Sequence, residues 1–301
     1  MGKTAFLFPG QGVQCFGMGK DFYENFEIAK QVYDLAGEAS GLDVAKICFE
    51  ENELLNITEY TQIALLATEV AILKVLQGKG VKADLSAGLS LGEYGALAAG
   101  EVMDLKDLFY LIRKRGLYMQ EAYPQGGGMT AVLGLDVDAV EEVLKTCDGI
   151  VSVANDNCPG QIVITGEKTS VDQAAALLSE KGAKKCVPLV VSGPFHSKLL
   201  EGAGEKLAQE MKNVSFKDPV IPYVCNLEAS LVDSKERIPY LLEKQVSGKV
   251  RFRESLQYLC ENGVDRFIEI GPGKSLAGFL KRINRDVEII NISTVSDLEK
   301  L

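Results

Sequence analysis

The sequence predicts an α/β protein: a core of strands and helices that carries a small inserted unit of the ferredoxin-like type. Three observations predict it. Strand-like and helix-like segments alternate from the N-terminus onward. The pentapeptide Gly88-Leu89-Ser90-Leu91-Gly92 stands between an apolar stretch and a run of helix formers. G-x-S-x-G is the spacing of a nucleophile elbow, a sharp strand-to-helix turn that lifts a serine hydroxyl clear of its sheet. After Gln125-Gly126-Gly127-Gly128, the clearest linker in the chain, the order of segments becomes β-α-β-β-α-β.

Taken in order, residues 5–8 form a short apolar strand and Pro9-Gly10-Gln11-Gly12 breaks it into a loop. Thr58 suits the cap of a helix over 59–77 that Gly78 ends. Residues 81–87 read as the strand before the elbow and 91–99 as the helix after it, with Gly100 as the stop. Asp104 suits the next cap, since Leu105, Leu108, Phe109, Ile112, Gly116 and Met119 then share one helical face. On that helix Lys114 falls opposite the apolar stripe and Arg115 on its edge. An arginine there is either a snorkelling surface residue or a cation leaning into a cleft. Beyond the linker, strands are expected at 129–135, 150–154, 161–165 and 183–190, and helices at 138–147 and 170–181. Asn155-Asp156-Asn157-Cys158-Pro159-Gly160 reads as the turn between the middle two strands. A strand at 221–225, a helix at 253–262, a strand at 266–270 and a helix at 274–283 complete the core. Residues 126–191 are therefore expected as the small subdomain, and 1–125 with 192–301 as the large one.

Composition excludes several classes of function. The 301 residues carry a net charge of −10, with none of the basic footprint that nucleic-acid binding needs. Seven cysteines are scattered and odd in number, and no C-x-x-C occurs. That pattern points to a reduced, cytoplasmic chain of buried thiols without a disulfide framework. With one histidine and no C-x-x-C, no zinc-ligand spacing stands out. The N-terminus lacks the core of a signal peptide, and no uninterrupted apolar run approaches the 18 residues of a membrane span. Two glycine-rich stretches are rejected as nucleotide loops. The first glycine of a phosphate loop ending at Lys274-Ser275 would fall on Ile268, and the third of a dinucleotide fingerprint on Cys15.

The chemistry rests on Ser90 and on His196, the one histidine in the chain. A serine hydroxyl is a poor nucleophile at neutral pH and needs an adjacent base. Imidazole, with an ordinary pKa near 6.5, is the usual one. If a histidine activates Ser90, it is His196; the alternative is a buried structural histidine with a satisfied hydrogen bond. Chance yields roughly 0.16 matches to G-x-S-x-G in a chain this long and this rich in glycine, so the context of the motif matters.

Seven motifs extend the argument: Phe8-Pro9-Gly10-Gln11-Gly12; Thr61-Gln62 with Ala64-Leu65; Gly88 through Tyr94; Arg115-Gly116 with Met119-Gln120-Glu121-Ala122; Asn155 through Gln161; Ser192-Gly193-Pro194-Phe195-His196-Ser197; and Glu269-Ile270-Gly271-Pro272-Gly273. In this order, over essentially the whole length, the chain resembles the malonyl-CoA:acyl carrier protein transacylases of bacterial fatty-acid synthesis. The resemblance implies a hydrolase-like α/β core with a ferredoxin-like insertion. It implies Ser90 as the nucleophile that carries malonyl and His196 as the general base and acid. The backbone N–H groups of Gln11 and Leu91 would form the oxyanion hole, and Arg115 would pair with the malonyl carboxylate. Gln62 would line the acyl pocket, and Asn157 is a weaker candidate there. Phe195 matches members that select malonyl, its bulk leaving little room for an α-methyl. The histidine would be steadied by main-chain carbonyls in Val250-Arg251-Phe252. Malonyl-CoA and acyl carrier protein are the implied partners, with no nucleic acid, no membrane, and no metal or redox cofactor. One departure is Leu89, where many members have histidine. Rival readings are a serine esterase or thioesterase, a non-catalytic docking module, and a transacylase that serves polyketide synthesis.

Overall fold

The computed structural model describes residues 2–301. Strand β1 (Lys3–Phe8) leads into helices α1 (Lys20–Asn25), α2 (Glu27–Ser40), α3 (Val44–Phe49) and the long α4 (Thr58–Gly78). Strand β2 (Leu85–Gly88) then precedes α5 (Glu93–Ala99) and α6 (Leu105–Ala122). A second unit follows as β3 (Gly127–Leu133), α7 (Val137–Leu144), β4 (Val151–Cys158), β5 (Gln161–Glu167), α8 (Lys168–Glu180) and β6 (Lys185–Pro188). The chain returns through α9 (Glu201–Met211), β7 (Tyr223–Val224), β8 (Leu231–Val232), α10 (Ile238–Gln245) and α11 (Phe252–Glu261). It closes with β9 (Val264–Ile270), α12 (Ser275–Ile283) and β10 (Glu288–Ile292).

Six strands form the main sheet in the order β10-β9-β1-β2-β7-β8. All neighbours run parallel except the β7–β8 hairpin. A parallel sheet is buried on both faces, and β1 shows why its strand reads as an unbroken apolar run. Side chains alternate across a strand. Phe6 and Phe8 enter the large core with Leu65, Leu66, Phe109 and Ile112 of α4 and α6. Ala5 and Leu7 enter the opposite core with Phe252, Leu256, Leu276 and Leu280 of α11 and α12. The four-stranded sheet has the order β4-β5-β3-β6, antiparallel throughout. Its α7 and α8 pack on one face through Val140, Val171, Ala174 and Leu178. That is the ferredoxin-like arrangement expected for the insertion.

Several local expectations are corrected. Residues 155–158 are strand, not turn: β4 runs on to Cys158 with two register irregularities, and only Pro159-Gly160 turns. The strand persists because its outer edge is paired. Val250 N–H donates to the Ala154 carbonyl at 2.7 Å, and Asp156 N–H donates to the Val250 carbonyl at 2.9 Å. Thr58 is the first residue of its helix and makes no capping bond, and the Asp104 side chain leaves its helix uncapped to accept from Lys217 Nζ at 2.7 Å. The cysteines are all free, but Cys15 is exposed and only Cys48, Cys158 and Cys225 are fully buried. Helix α4 is long and apolar enough to cross a membrane, although polar residues interrupt it; its most apolar stretch is 83% buried inside the protein, as a core helix is. Helices α1, α2, α3, α9 and α10 and strands β8 and β10 were not anticipated at all.

Candidate active site

Strand β2 delivers the chain to Ser90, whose φ is +54°. Such a left-handed conformation costs a non-glycine residue about 1–3 kcal/mol and needs the surroundings to enforce it. Two contacts do so. Ser90 N–H donates to Asn226 Oδ1 at 2.6 Å, and Gln245 Nε2 donates to the Ser90 carbonyl at 2.8 Å. The flanking glycines are required by space. A Cβ on Gly88 would lie 1.9 Å from the Gly92 carbonyl oxygen, and one on Gly92 would lie 2.1 Å from that of Phe8. After Ser90 a single 3-10 turn, Ser90–Gly92, feeds the N-terminus of α5.

His196 also has a positive φ, +60°, and is buried. Its Nε2 lies 2.7 Å from Ser90 Oγ, and its Nδ1 lies 2.9 Å from the Gln245 carbonyl oxygen. A carbonyl only accepts, so Nδ1 carries the proton and Nε2 presents its lone pair to the hydroxyl. Burial, and next the Arg115 cation, push the imidazole down to about 4. It is therefore neutral and able to accept a proton at any physiological pH. The carbonyl that steadies it belongs to Gln245, which corrects the expectation for Arg251. The Arg251 carbonyl accepts from Ser255 N–H at 3.0 Å, as the first turn of α11 requires. Arg251 instead donates its own N–H to the Asn226 carbonyl at 2.9 Å.

Arg115 resolves the choice left by its position on α6: it is 1% exposed. Its guanidinium donates from Nη1 to Gln62 Oε1 at 2.6 Å, and from Nη2 to Gln245 Oε1 at 2.9 Å and Ser90 Oγ at 3.3 Å. It lies over the Tyr94 ring at 5.7 Å, and its Nε has no partner. Every hydrogen-bond partner is thus neutral. The Glu93 carboxyl acts on it through space without a hydrogen bond, and one guanidinium donor is left unpaired.

Behind the elbow lies a polar layer that sequence reasoning missed. Glu93, Asn226 and Gln245 are all buried. Glu93 Oε2 accepts from Gln245 Nε2 at 2.8 Å and from Asn226 N–H at 3.1 Å. Asn226 Nδ2 donates to the Gly88 carbonyl at 2.6 Å. Burial raises the Glu93 carboxyl to about 7, against the lowering effect of these bonds and of Arg115.

The remaining candidates are placed as follows. Gln62, on α4, is buried, and its Nε2 donates to Met119 Sδ at 3.5 Å. The loop of Gln11 lies against the elbow, since a Cβ on Gly10 would sit 2.6 Å from the Leu89 carbonyl oxygen. Gln11 Nε2 donates to Thr58 Oγ1 at 3.1 Å, and Thr58 Oγ1 meets Ser192 Oγ at 2.8 Å. Leu91 stands at the start of the helical turn after Ser90, where backbone N–H groups are in excess. Phe195 is buried in the main core immediately before His196. Asn157 is buried on β4 with its Oδ1 unpartnered, and among the described residues no hydrogen bond joins it to Ser90, His196 or Arg115. Leu89 packs on the core formed with α11 and α12. No group of three or more metal-ligating side chains occurs among the described residues. A cleft of about 510 Å³ reaches His196 between Leu144, Lys145 and Val151 on one side and Lys198, Ser247 and Lys249 on the other.

A serine on an elbow with a neutral histidine at its hydroxyl, carried on a hydrolase-like sheet, is an arrangement suited to acyl chemistry, and the class of protein is an acyltransferase. The chain belongs to the acyl transferase domain family, whose model matches residues 5–296. It is 44% identical over 304 residues to the malonyl CoA-acyl carrier protein transacylase of Bacillus subtilis, covering 99% of this chain and 96% of that one. The crystal structure of the enzyme of this kind from Streptococcus pneumoniae superposes with a TM-score of 0.95 at 48% identity, covering 99% of this chain and 100% of that one. A type II polyketide synthase acyl-carrier protein in complex with its malonyl-transacylase contains a chain that matches with a TM-score of 0.96. That match is at 39% identity, covering 99% of this chain and 98% of the other.

Proposed function

We propose that this protein moves malonyl from coenzyme A to the phosphopantetheine thiol of acyl carrier protein, with Ser90 carrying the group between them. One observation carries the choice of malonyl: the buried Arg115 cation, whose hydrogen-bond partners are all neutral, 3.3 Å from the Ser90 hydroxyl. An acetyl esterase has no use for a buried cation there, whereas the free carboxylate of a malonyl group matches the guanidinium fork.

In the first half-reaction the Ser90 oxygen attacks the thioester carbonyl while its proton passes to His196 Nε2. The resulting oxyanion is received by the N–H groups of Gln11 and Leu91, the Leu91 group lying at the positive end of the turn into α5. Collapse expels the coenzyme A thiolate, which takes the proton back from the imidazolium. An imidazolium whose pKa in the free site is about 4 is a strong acid toward a thiolate of ordinary pKa near 8.5. The second half-reaction repeats these steps in reverse with the carrier thiol as nucleophile. Gln62 holds Arg115, and Phe195, packed immediately before His196, limits the room beside the acyl group. Segment 126–191 forms one wall of the cleft that admits the thioester arm, a reading supported by the residues that line it on both sides of His196. The reaction calls on no cofactor and runs in the cytoplasm.

The test is partition between thiol and water. With malonyl-CoA alone, the protein should release malonate slowly. With holo acyl carrier protein it should form malonyl-carrier in many turnovers per molecule of malonate lost. Malonate release that is fast and indifferent to the carrier would establish a thioesterase instead.

A further inference from the structure

Ser90 is held in its strained conformation from both sides, by Asn226 Oδ1 on its N–H and Gln245 Nε2 on its carbonyl. Each of these holders has a second duty. Asn226 Nδ2 fixes the Gly88 carbonyl, and Gln245 presents its side-chain oxygen to Arg115 and its main-chain oxygen to His196. Nucleophile, base and cation therefore depend on the placement of two neutral residues that lie far apart in sequence.

A single atom lies beneath both. Glu93 Oε2 accepts one N–H from the Gln245 amide and the backbone N–H of Asn226. The direction of an amide is set by its partners, because its oxygen and nitrogen ends are nearly alike in shape. Gln245 Nε2 has two hydrogens; one goes to the Ser90 carbonyl and one to Glu93. With both in place, its oxygen faces Arg115. Without the Glu93 acceptor, the N–H of Asn226 is buried and unpaired and one N–H of the Gln245 amide keeps only a long contact to Asn226 Oδ1 at 3.4 Å, a condition that native structures avoid by moving the group. The other carboxylate oxygen, Oε1, makes no hydrogen bond among the described residues. The orienting function thus needs one acceptor oxygen at this place.

We propose that Glu93 is a positioning residue for acyl transfer, acting through Gln245 and Asn226 to hold Ser90 in its elbow and Arg115 toward the acyl site. This rests on the reading of Ser90 and Arg115 given above. It makes Glu93, the first residue of α5, part of the machinery without contact with substrate.

The experiment measures kcat/KM for malonyl-CoA and acetyl-CoA in Glu93→Met, Glu93→Gln and Glu93→Asp, each normalised to folded protein by circular dichroism. Methionine fills the space without an acceptor. Malonyl transfer should fall about 10–100-fold, and the malonyl-to-acetyl ratio should fall with it, since Arg115 loses its fixed neighbour. Glutamine restores an acceptor at the same reach and should recover most of the lost rate and ratio. Aspartate is one methylene short and should resemble methionine; it carries the test if Glu93→Met does not fold. An unchanged ratio in Glu93→Met, or in Glu93→Asp if that variant stands in for it, reduces Glu93 to a structural residue and overturns the proposal. Glutamine as poor as methionine overturns it too, since charge and not an acceptor would then be required. Failure of the unsubstituted protein to form a malonyl adduct on Ser90 would instead remove the underlying reading, and the proposal with it.

Discussion

Replacing Arg115 by methionine is the perturbation with the most specific consequence. The side chain is 1% exposed, so methionine occupies its place without meeting solvent. Truncating one partner of a buried, hydrogen-bonded charge pair costs about 2–5 kcal/mol. Applied to the malonyl carboxylate, that is a loss of about 30- to 5,000-fold in kcat/KM. Acetyl-CoA brings no carboxylate and gives up none of this. Removing the cation also relieves the electrostatic depression of His196, which favours acetyl transfer. The substitution has a second effect on both substrates: Gln62 Oε1 and Gln245 Oε1 lose their donor, which loosens the site. Absolute rates mix the two effects, so the assay is the ratio of kcat/KM for malonyl-CoA over acetyl-CoA, by transfer to holo carrier. Lysine should restore the ratio only in part, since it makes a point contact where the guanidinium makes a fork. A ratio unchanged in Arg115→Met refutes the assignment of the guanidinium to the malonyl carboxylate.

Two further predictions concern His196. His196→Ala should slow transfer by roughly 10²–10⁴-fold, the range of a positioned acid–base group; near-normal transfer would mean that Ser90 has another base. Because the imidazole is depressed to about 4, it stays neutral as pH falls and protonates only near that value. The acid limb of kcat/KM for acylation should therefore lie near pH 4 and not near 6.5, and in Arg115→Met it should move upward. A limb already at 6.5 in the unsubstituted protein would show that burial and the cation do not govern this histidine.

The elbow and its histidine were legible because their signals are local. Gly88 and Gly92 are demanded by contacts of less than 2.2 Å, so glycine there is a steric necessity that the sequence displays. Arg115 was half legible: helical spacing put it at the edge of an apolar stripe, but only the meeting of α4, α6 and α10 decides that the edge is closed. Gln245 and Asn226 carried no signal. They reach Ser90 across 155 and 136 residues of chain, and nothing near either position marks it as polar and buried by design. The placement of the histidine-steadying carbonyl at Arg251 missed by six residues for the same reason, since any main-chain carbonyl can serve and only tertiary packing selects one. At 155–158, turn-forming residues were overruled by pairing with Val250, a contact invisible in local propensity.

The central claim is that Ser90 carries malonyl. Its most direct measurement is intact mass and peptide mapping of the protein after mixing with malonyl-CoA, beside Ser90→Ala under the same conditions. One malonyl group per chain is expected, located on the peptide that contains Ser90 and discharged by holo acyl carrier protein, with no adduct in Ser90→Ala. A malonyl adduct that persists in Ser90→Ala, or transfer at the full rate by that variant, would contradict it.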